Sequence, residues 1–299
     1  MLKNRYAYIT YVLSLGIFFG VFACKNKPKP TITTDILPTN IPMNTVVITP
    51  ETYKNGYNQL SNDEAGKIIR DAIQYAGGWE NWLSKKGLTF YKTVIYYDSV
   101  GKITKSSRSL QELNLFPNFK SKASWVDSGK QIMVINNGQQ AWRLENGKIM
   151  TDDKSKNSAW NSSFGTHYVI SMPFKLADPG AHYVYEGLVK LPNGKEALSV
   201  KVTYDDWAGS SGRFHKWKYF FDPKTHQLVA NFLNHGQGYS FTEYAIKDTL
   251  VGGIRYNLSR NSYQTDSVMS FIKLKEAYKN DSIRLGDNFS DAKFLTPPQ

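Results

Sequence analysis

The sequence predicts a mainly β fold with a minor helical part (α+β), laid out as an antiparallel meander of hairpins behind one amphipathic helix. Three observations carry that expectation. Short segments rich in Tyr, Phe, Val, Ile and Thr are separated by turns such as Asp127-Ser128-Gly129, Asn136-Asn137-Gly138 and Glu145-Asn146-Gly147, where Gly and Asn supply the positive φ of tight hairpins. Between Ser61 and Gly78 the apolar residues follow the helical period instead. Most connections between the apolar segments are too short for the crossover helices of a parallel sheet.

Ahead of the folded part, Lys3 and Arg5 precede an apolar run from Tyr6 to Ala23, and beyond Cys24 the chain turns polar with Lys25, Asn26, Lys27, Pro28, Lys29 and Pro30. A charged start, an apolar middle and a small residue before a cleavage point are the parts of an export signal, so residues 1–23 are read as a signal peptide. Val21-Phe22-Ala23-Cys24 resembles the lipobox of bacterial lipoproteins in its aliphatic first position, small third position and cysteine. That resemblance implies that Cys24 becomes the lipid-carrying first residue of the mature chain, a role suited to a thiolate nucleophile. An uncleaved transmembrane anchor would need about 20 apolar residues. This run carries Gly16 and Gly20, and an anchor leaves Cys24 at its end unexplained. Both readings tether the body to a membrane.

Cys24 is the only cysteine in 299 residues, so an exported body folds without disulfides. Losing Lys3 and Arg5 with the leader leaves 35 basic against 25 acidic residues, a balance that favours acidic partners. The densest basic stretch, Lys25 to Lys29, lies beside the lipid, within reach of anionic headgroups. Export, and the lack of a zinc-finger spacing, an aromatic RNA-binding signature or a basic helix, argue against nucleic acid.

Residues 24–58, with Pro28, Pro30, Pro38, Pro42 and Pro50, read as a flexible tether. Ser61-Asn62-Asp63-Glu64 then has the spacing of a capping box with Ser61 as the cap. Ala65, Ile68, Ile69, Ala72, Ile73 and Ala76 recur at i, i+3, i+4, i+7 and i+8 until Gly77-Gly78 stops them, which predicts a helix over Ser61 to Ala76. Strands follow at Leu88 to Tyr97, Lys102 to Leu113, Lys120 to Val126, Gln131 to Ile135, Gln140 to Leu144 and Gly147 to Met150. A helix is expected at Asn157 to Met172, where Trp160, Phe164, Tyr168 and Met172 are spaced by four before Pro173. Strands resume at Ala181 to Leu191, Ala197 to Tyr204, Phe214 to Phe221, Leu228 to Asn234, Tyr239 to Ile246 and Gly253 to Tyr263. The domain is thus bounded at 59–264, with 265–299 as a C-terminal extension, part helical over Val268 to Leu285 and disordered at its end.

Enzymatic chemistry finds little support. His167, His182, His215, His226 and His235 are scattered without metal-ligand spacing, and Asp205-Asp206 lacks the dense oxygen ligands of a calcium loop. No nucleophile elbow or phosphate-cradling loop occurs, so no cofactor is expected and a hydrolase using His215 or His235 is the weakest reading. What stands out is strands apolar on both faces. Gln131 to Ile135 carries Ile132 and Val134 on one face and Met133 and Ile135 on the other, whereas a half-exposed sheet would alternate with polar residues. Both faces need a cover, either packed chain or an internal pocket.

In the order of its parts the chain resembles the lipoprotein-carrier fold of the LolA and LolB type. Ala76-Gly77-Gly78-Trp79, Met172-Pro173-Phe174-Lys175-Leu176 and Tyr219-Phe220-Phe221-Asp222-Pro223-Lys224-Thr225 look like landmarks of an uncharacterised lipoprotein family of that fold. The resemblance implies a curved, incomplete antiparallel barrel, plugged by helices, with an apolar cavity for acyl chains. It also implies a lipid-anchored protein of a Gram-negative cell envelope, on the outer membrane facing the periplasm. The expected function is binding or chaperoning a hydrophobic ligand, a lipid or lipoprotein acyl chain. Face alternation makes Phe90, Val94, Trp125, Met133, Trp142, Phe164, Met172 and Phe174 the candidate lining residues. An accessory protein whose exposed aromatics engage a glycan or another envelope protein is the alternative.

Overall fold

A computed structural model describes residues 56–115, 119–205, 215–236, 238–245 and 248–295. The segment read as a signal peptide, Cys24, the expected tether up to residue 55 and the loop holding Asp206, Trp207, Gly209 and Gly212 lie outside the described residues.

Helix α1 spans Glu64–Tyr75 and buries Ala65, Ile68, Ile69, Ala72 and Ile73, the stripe that the sequence period marks. Its cap differs from expectation. Asp63, not Ser61, accepts the Gly66 N–H at 2.9 Å, and the Ser61 hydroxyl donates to the same carboxylate at 2.6 Å. A carboxylate at the N-terminus satisfies a free N–H and complements the helix dipole, so the shorter reach from Asp63 wins. Asp63→Ala is therefore expected to cost about 1 kcal/mol, and Ser61→Ala clearly less, as read by urea unfolding.

Gly77 then reverses the chain at φ +124°, with Gly253 so close that a Cβ would meet its carbonyl oxygen at 2.1 Å. The short helix α2, Trp79–Leu83, follows. Trp79 stacks on Tyr57 and Trp82 stacks on Phe174 at 4.6 Å, so the packed body already includes Tyr57, inside the segment expected to be tether.

The strands are β1 Gly87–Tyr97, β2 Ile103–Asn114, β3 Lys120–Asp127, β4 Lys130–Asn136, β5 Ala141–Glu145 and β6 Lys148–Ile149. Helix α3, Asp153–Ile170, and a 3-10 turn at Phe174–Ala177 come next. Then follow β7 Ala181–Lys190, β8 Glu196–Tyr204, β9 Lys216–Phe221, β10 Leu228–Asn234, β11 Tyr239–Tyr244, β12 Asp248–Val251, β13 Ile254–Asn257, β14 Ser259–Thr265 and β15 Phe271–Gly286. Thirteen of them form one antiparallel sheet in the order β6-β5-β4-β3-β2-β1-β15-β14-β11-β10-β9-β8-β7, while β12 and β13 pair apart. The predicted strand Gly253 to Tyr263 is thus divided between the β12–β13 hairpin and β14.

The C-terminal expectation is corrected. Residues 271–286 are not a helix outside the domain but a strand at its centre, paired with β1 on one side and β14 on the other. Its period was hidden because the inward positions Glu276 and Asn280 are polar, and because Ser282 and Ile283 bulge opposite Phe90, reversing the alternation.

The sheet curves around α3. Asn136 on β4 donates to Ser163 at 2.9 Å, while Tyr168 hydrogen-bonds Tyr204 on β8 and, at 3.2 Å, Tyr219 on β9. In the sheet order β4 and β9 are eight steps apart, about 38 Å if flat. Ser163 and Tyr168 are separated along the helix by only about 7.5 Å. The sheet is a deep trough with unjoined edges at β6 and β7, an incomplete barrel holding its helices inside.

Candidate functional site

The main core lies inside the trough, where α1, α2, Tyr168, Ile170 and the turn Phe174–Ala177 meet Leu88, Phe90, Leu113, Val200, Val202, Tyr219 and Phe221. The convex face is also covered. Phe220, Phe232 and Phe241 pack with Met269 there, and Ile135 and Leu144 lie under Phe294. Lys293 pairs with Glu112, and Asn114 exchanges two hydrogen bonds with the Phe289 backbone, pinning the C-terminal segment. Strands apolar on both faces are explained by packed chain on both sides.

The eight candidate residues divide accordingly. Phe90 and Phe174 are buried inside the trough, with Phe164 and Met172 at its partly buried margin. Val94 is half-buried on the same face as Phe90, and Trp125 packs with Ala123, Val134 and Ala159 at the α3 end. Met133 and Trp142 point the other way, under Phe294. A one-residue step in a strand moves a side chain to the opposite face, and the C-terminal cover gave no signal that the convex side was occupied.

One cavity of about 50 Å³ opens within the trough. Ala72, Tyr75 and Ala76 of α1, Val169 and Ile170 of α3, Met172, Pro173 and Leu228 form its apolar wall. The opposite wall is polar: Tyr244, Asn257, Arg260 and Asn280, with Arg255 and Asp248 at the β12–β13 side. Arg255 is spoken for, donating to the Tyr75 carbonyl at 3.1 Å and to Asp248 at 3.4 Å. Of the eight candidates Met172 lines this cavity.

Sequence reasoning missed the polar wall. Arg260 stacks its guanidinium 4.0 Å from the centre of the Tyr278 ring, and Lys92 approaches the same ring from β1 at 5.7 Å. Lys92 donates to Thr166 of α3 at 2.8 Å and faces Asn280 across the β1–β15 ladder. Loss of water around its ammonium, with Arg260 nearby and Glu276 acting the other way, brings its pKa down to about 7. The signal was there: Lys92 falls between Phe90 and Val94 on the inward face of β1, where a solvated lysine has no place.

Around this wall α3 is seated by polar groups. Besides Asn136–Ser163, Lys92–Thr166 and the Tyr168–Tyr204–Tyr219 cluster, His167 is buried against Phe119 at 4.1 Å. Burial, followed by the charge of Lys175, holds the His167 pKa well below its ordinary value. Lys175 and Asp178 form a buried ion pair just beyond. Of the other histidines, His182 pairs with Asp205 at 2.8 Å on the surface, His226 lies 3.8 Å from Asp71, and His215 is lowered to about 4 by burial and by His235. Among the described residues, no three of His, Cys, Asp and Glu converge into a metal-binding group.

Comparison with solved structures finds a DUF1329 family protein from Desulfovibrio piger, 10% identical with a TM-score of 0.49, covering 82% of this chain and 97% of that one. A LolA superfamily protein from Nitrosomonas europaea is 11% identical with a TM-score of 0.45, covering 77% of this chain and 97% of that one. No curated protein matches the chain. A family model does match, over residues 58–281 and so across most of the sheet and both long helices: the chain belongs to DUF6503, a family of unknown function.

Proposed function

We propose that this chain is a membrane-anchored protein of the cell envelope that binds or chaperones a hydrophobic ligand, a lipid or lipoprotein acyl chain, inside its trough. The observation that carries this reading is the cavity between an apolar helical wall and the strands, at the C-terminal end of a helix that side-chain hydrogen bonds tie to the sheet. Pockets that bury small ligands run to roughly 300–1,000 Å³, against about 50 Å³ in this closed form. Uptake therefore requires α3 to lift. Water can replace the hydrogen bonds it gives up, while the apolar surface uncovered is regained against the ligand at roughly 25 cal/mol per Å². The signal peptide and the Cys24 lipobox support the anchored, periplasm-facing location. Exposed aromatics suited to a glycan or protein platform are few, Tyr96 and Phe271 being those among the described residues.

Binding of a dansyl-labelled fatty acid by the purified, delipidated chain tests this. Wild type is expected to bind, and Phe164→Leu to retain binding. Phe164→Asp is expected to weaken it at least about tenfold, because a carboxylate facing an acyl chain must be desolvated or draw in water. Equal binding by wild type and Phe164→Asp would remove α3 from the site. No binding by any of them would turn the function toward a glycan or protein partner.

A further inference from the structure

Arg260 stands in the polar wall, and a second cation, Lys92, lies beside it on the same inward-facing surface. Ser107, Val94, Tyr278, Arg260 and Tyr244 form a cross-strand row over β2, β1, β15, β14 and β11, and Ser109, Lys92 and Asn280 form the row beside it. Among the described residues no carboxylate lies within ion-pair distance of Arg260 or Lys92. The acid that faces them, Glu276, accepts instead from the Tyr278 hydroxyl. Two cations flanking one ring repel each other, and a negative charge placed between them would relieve that repulsion. Arg260 and Asn280 line the cavity, and across from them lie Val169, Ile170, Met172 and Leu228. A guanidinium facing an aliphatic wall is the arrangement that an anionic amphiphile matches at both ends.

We propose that Arg260, with Lys92 and Asn280 beside it, binds the anionic head of the ligand, a carboxylate or phosphate, while the acyl chain runs beneath α3 along Val169, Ile170, Met172 and Leu228. The proposal rests on the hydrophobic-ligand reading above and adds to it the charge of the ligand. A charge-assisted hydrogen bond is discriminating because a neutral head leaves the guanidinium desolvated and unmatched.

The test uses the full chain, delipidated, with three radiolabelled probes delivered from cyclodextrin: palmitate, 1-palmitoyl-lysophosphatidylglycerol and the neutral 1-palmitoylglycerol. Wild type is expected to bind at least one anionic probe about tenfold or more tighter than the neutral one, and the tighter of the two identifies the head as carboxylate or phosphate. Arg260→Gln is expected to lose that preference while keeping its affinity for palmitoylglycerol. Arg260→Lys should retain most of the preference, since it keeps the charge. Thermal melts of both variants confirm folding. Equal affinity for all three probes, unchanged in Arg260→Gln, would overturn the headgroup site and leave the hydrophobic-ligand reading standing. Failure to bind any probe would overturn both.

Discussion

A chain ended at Thr265 is expected not to fold. Its loss would remove β15, the strand that joins the two halves of the sheet, and leave both β1 and β14 as open edges. Every backbone hydrogen bond from Gly87 to Tyr96 toward β15 would go, and with it the packing of Ala277, Ile283 and Leu285. A domain has only about 5–15 kcal/mol of stability to lose, and unpaired central edges also invite aggregation. Ending the chain after Asn288 instead removes Phe289 and Phe294, the convex cover over Ile135 and Leu144, but no strand. That shorter deletion is expected to leave a folded protein weakened by about 3–5 kcal/mol, the usual cost of losing a buried phenylalanine. Urea unfolding followed by near-ultraviolet circular dichroism separates the two cases. A cooperative transition from the chain ended at Thr265 would contradict the central place given to β15.

Lys92→Met is expected to stabilise the protein at and below neutral pH by on the order of 1 kcal/mol, the low end of the ~1–4 kcal/mol seen when buried ion pairs give way to apolar side chains of similar volume. The Lys92 ammonium titrates at about 7 when folded and near 10.5 when unfolded. Between those values the unfolded chain holds a proton that the folded chain has released, so stability rises with pH through this window. Below about pH 7 the cost of the buried charge is present in full. In Lys92→Met the rise from pH 7 to 10 should flatten, and Thr166 can turn its hydroxyl to the preceding helical turn. The same substitution should weaken binding of an anionic lipid, because stability is commonly given up where a charge serves a ligand. A variant with unchanged stability and an unchanged pH profile would show that Lys92 is solvated and apart from the interior.

Most of the fold was legible because local chemistry and tertiary placement agree. The α1 stripe, the Gly-Asn turns and the alternation of β2, β3 and β8 each answer to one nearby cause. Where the cause was distant, the reading failed. Phe271 to Gly286 shows little alternation because its inward positions Glu276 and Asn280 are polar, Asn280 lining the cavity, and because a bulge resets the period, facts that belong to β1 and β14 and not to the strand itself. Met133 and Trp142 were placed with the interior residues because nothing in their own strands shows that Phe294 returns to cover the other face. Of the residues chosen by face alternation, Phe90 and Phe174 fall in the trough core and Phe164 and Met172 beside it, and Met172 is the one that lines the cavity. Of the two cations beside it, Lys92 was marked by its place between Phe90 and Val94, whereas nothing in the strand around Arg260 shows that the sheet curves it inward.

Native mass spectrometry of the chain, released gently from membranes in its full length, tests ligand burial most directly. The predicted spectrum shows the protein carrying one additional anionic lipid, noncovalently held, that leaves on collisional activation and is depleted in Arg260→Gln. A bare chain, both as isolated and after incubation with palmitate and lysophosphatidylglycerol, would contradict the account.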